Sequence, residues 1–294
     1  MTGAQLFRKV EELREMLARV RRMGATIGFV PTMGALHEGH GRLMDTARRE
    51  TDCVVASVFV NPIQFDRKED LERYPQDLDA DLRFCSGHRV DLVFAPSVSE
   101  MYPGEQLSFV DVGRVSEGLC GAFRPGHFRG VATVVLKLFN IVQPHRAYFG
   151  EKDAQQLAVI RRMVRDLNLP VEIAPVPTVR EADGLALSSR NRRLDPADRQ
   201  IAPVLFQALL VAQKYIAAGT TDPSLVKAAA VAVLERQPAV RLEYLEVVDA
   251  EEMQPVQRIT GPVRVAAAVW LAGVRLIDNL LCEPGEPAGS GLIQ

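Results

Sequence analysis

The sequence predicts an α/β fold, a doubly wound parallel sheet with a second, smaller α+β domain. In the first 178 residues, short apolar runs rich in Val, Ile and Phe alternate with helical stretches, which is typical of a parallel sheet covered on both faces. Beyond Pro175 and Pro177, helices are instead followed by adjacent strands. We therefore predict a Rossmann-like domain over residues 1–178, a small α+β lid domain over 179–283 and a flexible Pro- and Gly-rich tail over 284–294.

Hydrophobic periodicity places the individual elements. Apolar runs predict strands in the first domain at 26–30, 53–60, 91–95, 146–149 and 171–174. Apolar residues at helical spacing, such as Leu6, Val10 and Leu13, predict helices at 4–23, 40–50, 76–87, 128–142 and 153–167. In the second domain we predict helices at 196–217 and 223–236, and strands at 241–248, 262–271 and 274–279.

Composition excludes several classes of function. Among 294 residues, 35 Lys and Arg balance 37 Asp and Glu, so a strongly basic nucleic-acid binder or a polybasic membrane adaptor is excluded. The longest apolar stretches, 54–60 and 265–272, fall well short of the ~18 residues that span a bilayer. No export signal is recognisable, and the four cysteines show neither pairing nor metal-like spacing. We expect a cytoplasmic protein with idle thiols and no nucleic-acid or membrane partner.

The first predicted strand leads directly into Pro31-Thr32-Met33-Gly34-Ala35-Leu36-His37-Glu38-Gly39-His40. This segment fails the G-x-G-x-x-G pattern, matches the P-loop only in part, and has its histidines three rather than four positions apart, which excludes H-E-x-x-H. Histidines at i and i+3 share one face of a helix, and a helix N-terminus favours anions. The motif therefore predicts that His37 and His40 bind a nucleotide triphosphate.

Three further motifs carry polar residues. Asn61 and Gln64 follow the second strand, where amides suit hydroxyls and carboxylates, although turn chemistry around Pro62 is the simpler alternative. Lys152, one of only six lysines beside 29 arginines, follows the fourth strand and is placed to neutralise phosphate, while the adjacent Asp153 also suits a helix cap. The last motif is Ser188-Ser189-Arg190-Asn191. Its two hydroxyls and its guanidinium suit a phosphate clamp, although the same residues are common in ordinary loops.

In this order and spacing the motifs resemble the pantoate–β-alanine ligase (pantothenate synthetase) family of the nucleotidyltransferase superfamily. The resemblance extends from Phe29 to about residue 280 and includes the blocks Arg124-Pro125-Gly126-His127-Phe128, Phe149-Gly150-Glu151-Lys152-Asp153 and Asp183–Asn191. It implies condensation of pantoate with β-alanine through a pantoyl-adenylate, with ATP cleaved to AMP and pyrophosphate. Implied partners are these small molecules and Mg²⁺, and the family is usually a homodimer.

The resemblance also implies roles for single residues. His40, His37, Lys152 and Arg190 would be catalytic, and His40 would donate a proton. Gln64 and Gln156 would bind pantoate, with Gln64 also near β-alanine, and Asn61 would be a further substrate residue close by. Contacts to ATP would come from Met33, Gly34, Ala35, Leu36, His37, Glu38, Gly39, His40, Gly150, Glu151, Lys152, Asp153, Val179, Leu187, Ser188, Ser189 and Arg190.

Two other functions are considered alongside the ligase. An adenylyltransferase of the same superfamily would pass AMP to a phosphate and would lack the C-terminal unit, and a non-catalytic module would bind ATP without turnover. The metal ligands stay open, because the spacing of Asp77, Asp79 and Asp81 is too loose to assign any of them to magnesium. No general base for the amine is identified.

Overall fold

The structure, a computed structural model, describes residues 3–285. Of the predicted tail, residues 286–294 lie outside the described part of the chain. The described strands are β1 Gln5–Phe7, β2 Ile27–Thr32, β3 Cys53–Val58, β4 Leu92–Phe94, β5 Arg146–Gly150, β6 Glu172–Val176, β7 Val240–Asp249, β8 Val263–Leu271 and β9 Val274–Cys282. The described helices are α1 Val10–Arg22, α2 Glu38–Glu50, α3 Lys68–Glu72, α4 Leu78–Gly87, α5 Val98–Met101, α6 Cys120–Phe123, α7 His127–Val142, α8 Ala154–Asp166, α9 Pro196–Ile201, α10 Val204–Ala217 and α11 Pro223–Leu234.

The chain divides into two compact units. The first contains the chain up to Gly113 with Phe123–Glu151 and Val159–Val179. The second contains Arg114–Ala122, Lys152–Ala158 and the described residues from Arg180 to Gly285. The sequence places the boundary at 178/179 and assigns both short segments of the second unit to the first domain.

Gln155 shows why these two short segments belong to one unit. Its buried amide accepts the backbone N–H of Cys120 at 2.9 Å and donates to the carbonyl oxygen of Gly118 at 2.7 Å. All three residues lie in the second unit. The sequence gives no signal for this contact, because a glutamine shows no local preference for one distant stretch of backbone.

In the described first unit, β1 to β6 form a parallel sheet in the order β1-β4-β3-β2-β5-β6. The chain runs from β2 outward to β3 and β4 and then returns to the other side of β2 with β5 and β6, so the doubly wound prediction is confirmed. The strand order reverses between β2 and β5, where Gly28 pairs with Arg146. Sheets of this kind bind ligands outside the strand ends at such a reversal, which here means the segments after Thr32 and Gly150.

The N-terminal prediction is wrong at one end. Leu6 fits the helical spacing, but it lies in β1 and pairs with Val93 at the edge of the sheet. The helix begins only at Val10, whose backbone N–H is accepted by the Glu100 carboxylate at 2.9 Å. A partner so far along the chain fixes where α1 begins, and periodicity does not reveal it.

The second unit contains an antiparallel sheet in the order β7-β8-β9, with α10 and α11 packed against it. Buried side chains between these layers include Leu209, Val226 and Val265. The single helix predicted over 196–217 is two helices, α9 and α10, because Pro203 interrupts the hydrogen-bond ladder between Ile201 and Val204. The predicted α+β unit is otherwise confirmed.

All four cysteines are buried and unpaired, as idle thiols should be. Burial raises the pKa of the thiols of Cys53 and Cys282 to about 11 and that of Cys85 to about 12, so they stay protonated at neutral pH. Within residues 3–285, none of the helices combines the length and the apolar character needed to cross a membrane.

Candidate functional site

Two histidines stand at the start of α2, shortly after the carboxyl end of β2. His37 is the N-cap residue, with an extended backbone (φ −149°, ψ 173°), and His40 lies one turn further on. The centroids of their rings are 4.2 Å apart. First-turn N–H groups and the helix dipole favour an anion at this end of a helix. The structure thus brings together the two histidines that the sequence predicts to act as a pair.

Both rings use Nδ1 to cap the helix. His37 Nδ1 accepts the backbone N–H of Gly39 at 3.1 Å, and His40 Nδ1 accepts the backbone N–H of His37 at 3.3 Å. A ring nitrogen that accepts a hydrogen bond carries no proton, so each neutral imidazole carries its proton on Nε2. The cap therefore orients both rings and makes each Nε2 a donor, the polarity that a phosphate oxygen requires.

Asp81 holds the loop between β2 and α2. This residue is 4% exposed, and its carboxylate accepts the backbone N–H groups of Ala35 at 3.1 Å and Leu36 at 2.9 Å. Gly34 has a positive φ of 81°, and a Cβ at this position would lie 2.6 Å from Asp81 Oδ2. Glycine is thus needed both for the turn and for the approach of the carboxylate. Because Asp81 lies on α4, far along the chain, the sequence does not predict this role.

We expect Asp81→Asn to lower the free energy of unfolding by about 1–3 kcal/mol, because the amide turns an NH₂ group toward a backbone N–H that is then left without an acceptor. Urea unfolding followed by circular dichroism measures this. The exposed Asp79 lies on the same helix, so Asp79→Asn is the matched control and should cost less than about 0.5 kcal/mol. Equal stabilities for the two variants would contradict the assigned role of Asp81.

Two of the three acidic residues at the start of α4, Asp77 and Asp81, bind backbone N–H groups. Asp77 caps the helix by accepting the backbone N–H of Ala80 at 2.9 Å, while Asp81 binds the loop described above. In the part of the chain that the structure describes, no three or more His, Cys, Asp or Glu side chains are grouped to hold a metal ion. Mg²⁺ is usually bound through one or two carboxylates plus substrate phosphates, so an ion that accompanies a nucleotide needs no such group.

The turn after β3 carries the two predicted amides. Asn61 precedes a short 3₁₀ helix, Pro62–Gln64, and the side chains of Asn61 and Gln64 are buried. Asn61 Nδ2 donates to Gln64 Oε1 at 3.0 Å, and Gln64 Nε2 lies 2.9 Å from Met33 Sδ. The second contact connects this turn with the loop before the histidines. Within the first unit, the structure therefore joins the amides to the nucleotide motif.

The Arg124–Phe128 block of the sequence supports this amide turn. His127 Nδ1 lies 2.8 Å from the carbonyl oxygen of Gln64, to which it must donate. Its Nε2 then accepts from Arg124 Nη1 at 3.1 Å, and Arg124 Nε pairs with Asp66 at 3.2 Å. The block therefore fixes the backbone at Gln64.

Gly130 allows α7 to pack directly on the same turn. A Cβ at this position would lie 2.4 Å from the carbonyl oxygen of Ile63 and 2.6 Å from Cα of Gln64. We expect Gly130→Ala to lower the free energy of unfolding by about 1–3 kcal/mol, because two stretches of backbone must separate. Thermal and urea unfolding measure the effect. At Gly87, an added Cβ meets nothing within 4 Å, so Gly87→Ala is the control; if both variants match the wild type, the contact is not tight.

The second unit contains a pocket lined by Lys152, Ser188 and Arg190, with Arg275 and Asp278 also in its wall. Ser188 caps the short 3₁₀ helix Ser189–Arg193, and its hydroxyl accepts the backbone N–H of Arg190 at 3.2 Å. Of the cationic side chains in its wall, Arg275 is paired with Glu243, and Lys152 and Arg190 favour an anionic ligand. Residues that the sequence predicts from separate stretches are thus brought together in this unit.

Strand β9 orients both stretches that line this pocket. Asp278 binds the guanidinium of Arg180 through two hydrogen bonds, of 2.6 and 2.9 Å, near the start of the segment that leads to Ser188. The next residue, Asn279, donates to the backbone carbonyl oxygen of Lys152 at 2.9 Å. Neither contact has a sequence signal, because the partners lie on strands and loops that only the fold brings together.

The other predicted contacts are distributed between the units. Gly150 and Glu151 lie at the end of β5, and Val179 follows β6. In the second unit, several predicted residues lie outside the lining of the pocket, namely Asp153, Gln156, Leu187 and Ser189. Gln156 is half-buried on α8, and Asp153 is exposed.

The first unit has paired histidines at the reversal point of a doubly wound sheet, and the second has a cation-lined pocket at a Ser-Ser-Arg loop. These features are typical of a nucleotide-binding α/β protein. The model of one family, Pantoate-beta-alanine ligase, matches residues 5–281, and the chain belongs to that family. The match includes the second unit, which favours the ligase over the adenylyltransferase.

Individual relatives agree with this family. The pantothenate synthetase of Moorella thermoacetica is 51% identical over 282 residues, which is 96% of this chain and 100% of that protein. The crystal structure of pantothenate synthetase from Thermus thermophilus matches with a TM-score of 0.90 and 49% identity, covering 95% of this chain and 100% of that one. Pantoate-beta-alanine ligase from Francisella tularensis, complexed with β,γ ATP and β-alanine, matches with a TM-score of 0.79 and 33% identity, covering 95% and 98%.

Proposed function

We propose that this chain condenses pantoate with β-alanine and cleaves ATP to AMP and pyrophosphate. Membership of the pantoate-beta-alanine ligase family supports the reaction, and the Francisella relative was crystallised with β,γ ATP and β-alanine. The observation that carries the assignment of the chemistry is the histidine pair, whose Nδ1 atoms cap α2 and whose Nε2–H groups are therefore donors.

The first step makes the carboxylate of pantoate reactive. A carboxylate is a poor electrophile, since an attacking amine would have to expel an oxide. A carboxylate oxygen instead attacks the α-phosphorus of ATP, a new P–O bond forms, and the bond to the β-phosphate breaks with its electron pair on pyrophosphate. The protein contributes positioning and stabilisation of the charge that develops on the phosphates.

Each group has a proposed part in that step. His37 and His40 donate Nε2–H to the triphosphate, and Lys152, Ser188, Ser189 and Arg190 supply positive charge and further donors to phosphate oxygens. The backbone of Met33–His40 approaches ATP closely, as Gly34 and Gly39 allow, and Gly150, Glu151, Asp153, Val179 and Leu187 complete its contacts. Gln64 and Gln156 bind pantoate, and Asn61 is a substrate residue beside Gln64.

In the second step the amine of β-alanine attacks the carbonyl carbon of pantoyl-adenylate. The C–N bond forms, the C–O bond to AMP breaks with its electron pair on the AMP phosphate, and the nitrogen releases a proton to solvent. The acyl-adenylate must be kept from water until the amine arrives. An uncharged amine needs no general base for the attack itself.

A substrate-omission assay tests this function. Pyrophosphate should form from ATP and pantoate with Mg²⁺ in an amount close to one per enzyme, and should continue to form only when β-alanine is added. An adenylyltransferase for a phosphate acceptor would release none with pantoate, and a nucleotide-binding module would release none with any substrate. Either result would overturn the proposal.

The resemblance to the family supports three further proposals. ATP enters with Mg²⁺ as part of the substrate, the chain forms a homodimer, and it acts in the cytoplasm. Light scattering at several concentrations tests the dimer, since a mass equal to one chain of 32.4 kDa would contradict it.

A further inference from the structure

Tyr102 lies near the amide turn, and the proposed function assigns no role to its polar side chain. Its hydroxyl donates to Asn61 Oδ1 at 2.8 Å. Asn61 Nδ2 in turn donates to the carbonyl oxygen of Gly130 at 3.2 Å and to Gln64 Oε1 at 3.0 Å. Gln64 Nε2 ends this series of hydrogen bonds beside Met33 Sδ. All of these residues belong to the first unit.

At each step of this series, the partners determine which group donates the hydrogen bond and which group accepts it. A backbone carbonyl oxygen accepts and never donates, so the group of Asn61 that faces Gly130 is its NH₂ and the opposite group is its oxygen. That oxygen needs a donor, which Tyr102 supplies. Because Asn61 donates to Gln64 Oε1, the other end of the Gln64 amide is NH₂. The Gln64 side chain is thus held with its NH₂ group, a donor, pointing away from Asn61.

Tyr102 is well suited to this task. Burial raises the pKa of its hydroxyl above the ordinary value of a tyrosine, so the group stays protonated and keeps donating across the neutral range. Its ring is fixed independently of the hydroxyl, with Lys137 Nζ 4.6 Å from the ring centre and the Phe59 ring centroid at 6.2 Å. A phenylalanine keeps both ring contacts, and the hydroxyl can therefore be tested alone.

We infer that Tyr102 is a positioning residue that sets, through Asn61, which end of the Gln64 amide faces pantoate. The inference rests on the proposed binding of pantoate by Gln64. A fixed NH₂ suits the carboxylate or hydroxyl oxygens of an acid substrate, whereas an amide free to turn by 180° would present its oxygen to them for part of the time. Tyr102 thus contributes to the choice of a carboxylic acid at this position.

The test is a set of four variants, Tyr102→Phe, Gln64→Met, the double variant and Tyr215→Phe, a control at a tyrosine that is 45% exposed. Steady-state assays give KM for pantoate and for ATP, and calorimetry gives Kd for pantoate in the presence of α,β-methylene-ATP, which cannot release pyrophosphate. We expect Tyr102→Phe to raise the pantoate KM and Kd roughly tenfold, the size of one lost buried hydrogen bond, and to leave the ATP KM unchanged. Tyr215→Phe should change neither.

The double variant separates positioning from a general structural effect. If Tyr102 acts through Gln64, Tyr102→Phe should have no further effect on pantoate Kd once Gln64 is methionine. If Tyr102→Phe leaves the pantoate Kd unchanged while Gln64→Met raises it, the inference is wrong and the proposed role of Gln64 stands. The inference is also wrong if Tyr102→Phe changes the pantoate Kd by the same factor in the wild type and in Gln64→Met. A wild-type Kd in Gln64→Met would overturn the proposed role of Gln64 and the inference with it.

Discussion

Replacing His40 by asparagine is expected to slow the formation of pantoyl-adenylate by about 10²–10³-fold, the usual loss when one preorganised donor to a developing charge is removed. Asparagine places its Oδ1 close to the position of Nδ1 in histidine, so it still accepts the backbone N–H of His37 and caps α2. It has no atom at the position of Nε2. Single-turnover measurement of pyrophosphate release from ATP and pantoate determines the rate.

Two companion variants separate the cap from the chemistry. His40→Ala removes the cap as well, and should unfold about 1 kcal/mol more easily than His40→Asn at a similarly low rate. His40→Gln restores an N–H near the position of Nε2 and should recover part of the rate. If His40→Asn forms the adenylate as fast as the wild type, the Nε2 of this residue takes no part in the reaction.

Replacing Lys152 by methionine is expected to lower the rate of adenylate formation by a similar factor of about 10²–10³, because a compact charge near phosphate oxygens is lost at nearly constant volume. Within the described chain no carboxylate forms an ion pair with Lys152, so its charge is available to a ligand. The measured quantity is again pyrophosphate release in a single turnover.

Stability should not change in this variant. The contact that Lys152 makes with Asn279 uses the backbone carbonyl oxygen, which every substitution keeps. The exposed Lys214 on α10 provides the control, and Lys214→Met should leave both the rate and the melting temperature at wild-type values. A Lys152→Met enzyme with the wild-type rate would contradict the assigned role, whereas Lys152→Arg should retain only part of the rate, since a planar guanidinium is a poor substitute for an ammonium.

The sequence predicts the central sheet well because each buried strand is a continuous apolar run. β2, β3 and β5 are covered on both faces, and their runs end within two residues of the predicted bounds. A short strand depends instead on the partner strand that the fold offers it. β1 forms because β4 offers an open edge, which the periodicity around Leu6 does not show.

The candidate functional residues also fall into those that the sequence predicts and those that it does not. His37, His40 and Lys152 could be found because chemistry-bearing residues directly follow predicted strands, where the carboxyl edge of a parallel sheet lies. The residues that orient them could not be found. Asp81 and Asn279 act on backbone groups, and any stretch of chain offers these equally, so only the folded packing selects the partner.

Transfer of oxygen from pantoate labelled with ¹⁸O in its carboxylate is the most direct test of attack on the α-phosphorus. Complete turnover with ATP and β-alanine should leave one labelled oxygen in the amide carbonyl of the product and the other in the phosphate of AMP, with none in pyrophosphate. Mass spectrometry of the separated products locates the label. Unlabelled AMP, or labelled phosphate or pyrophosphate, would show that the carboxylate is activated by another route.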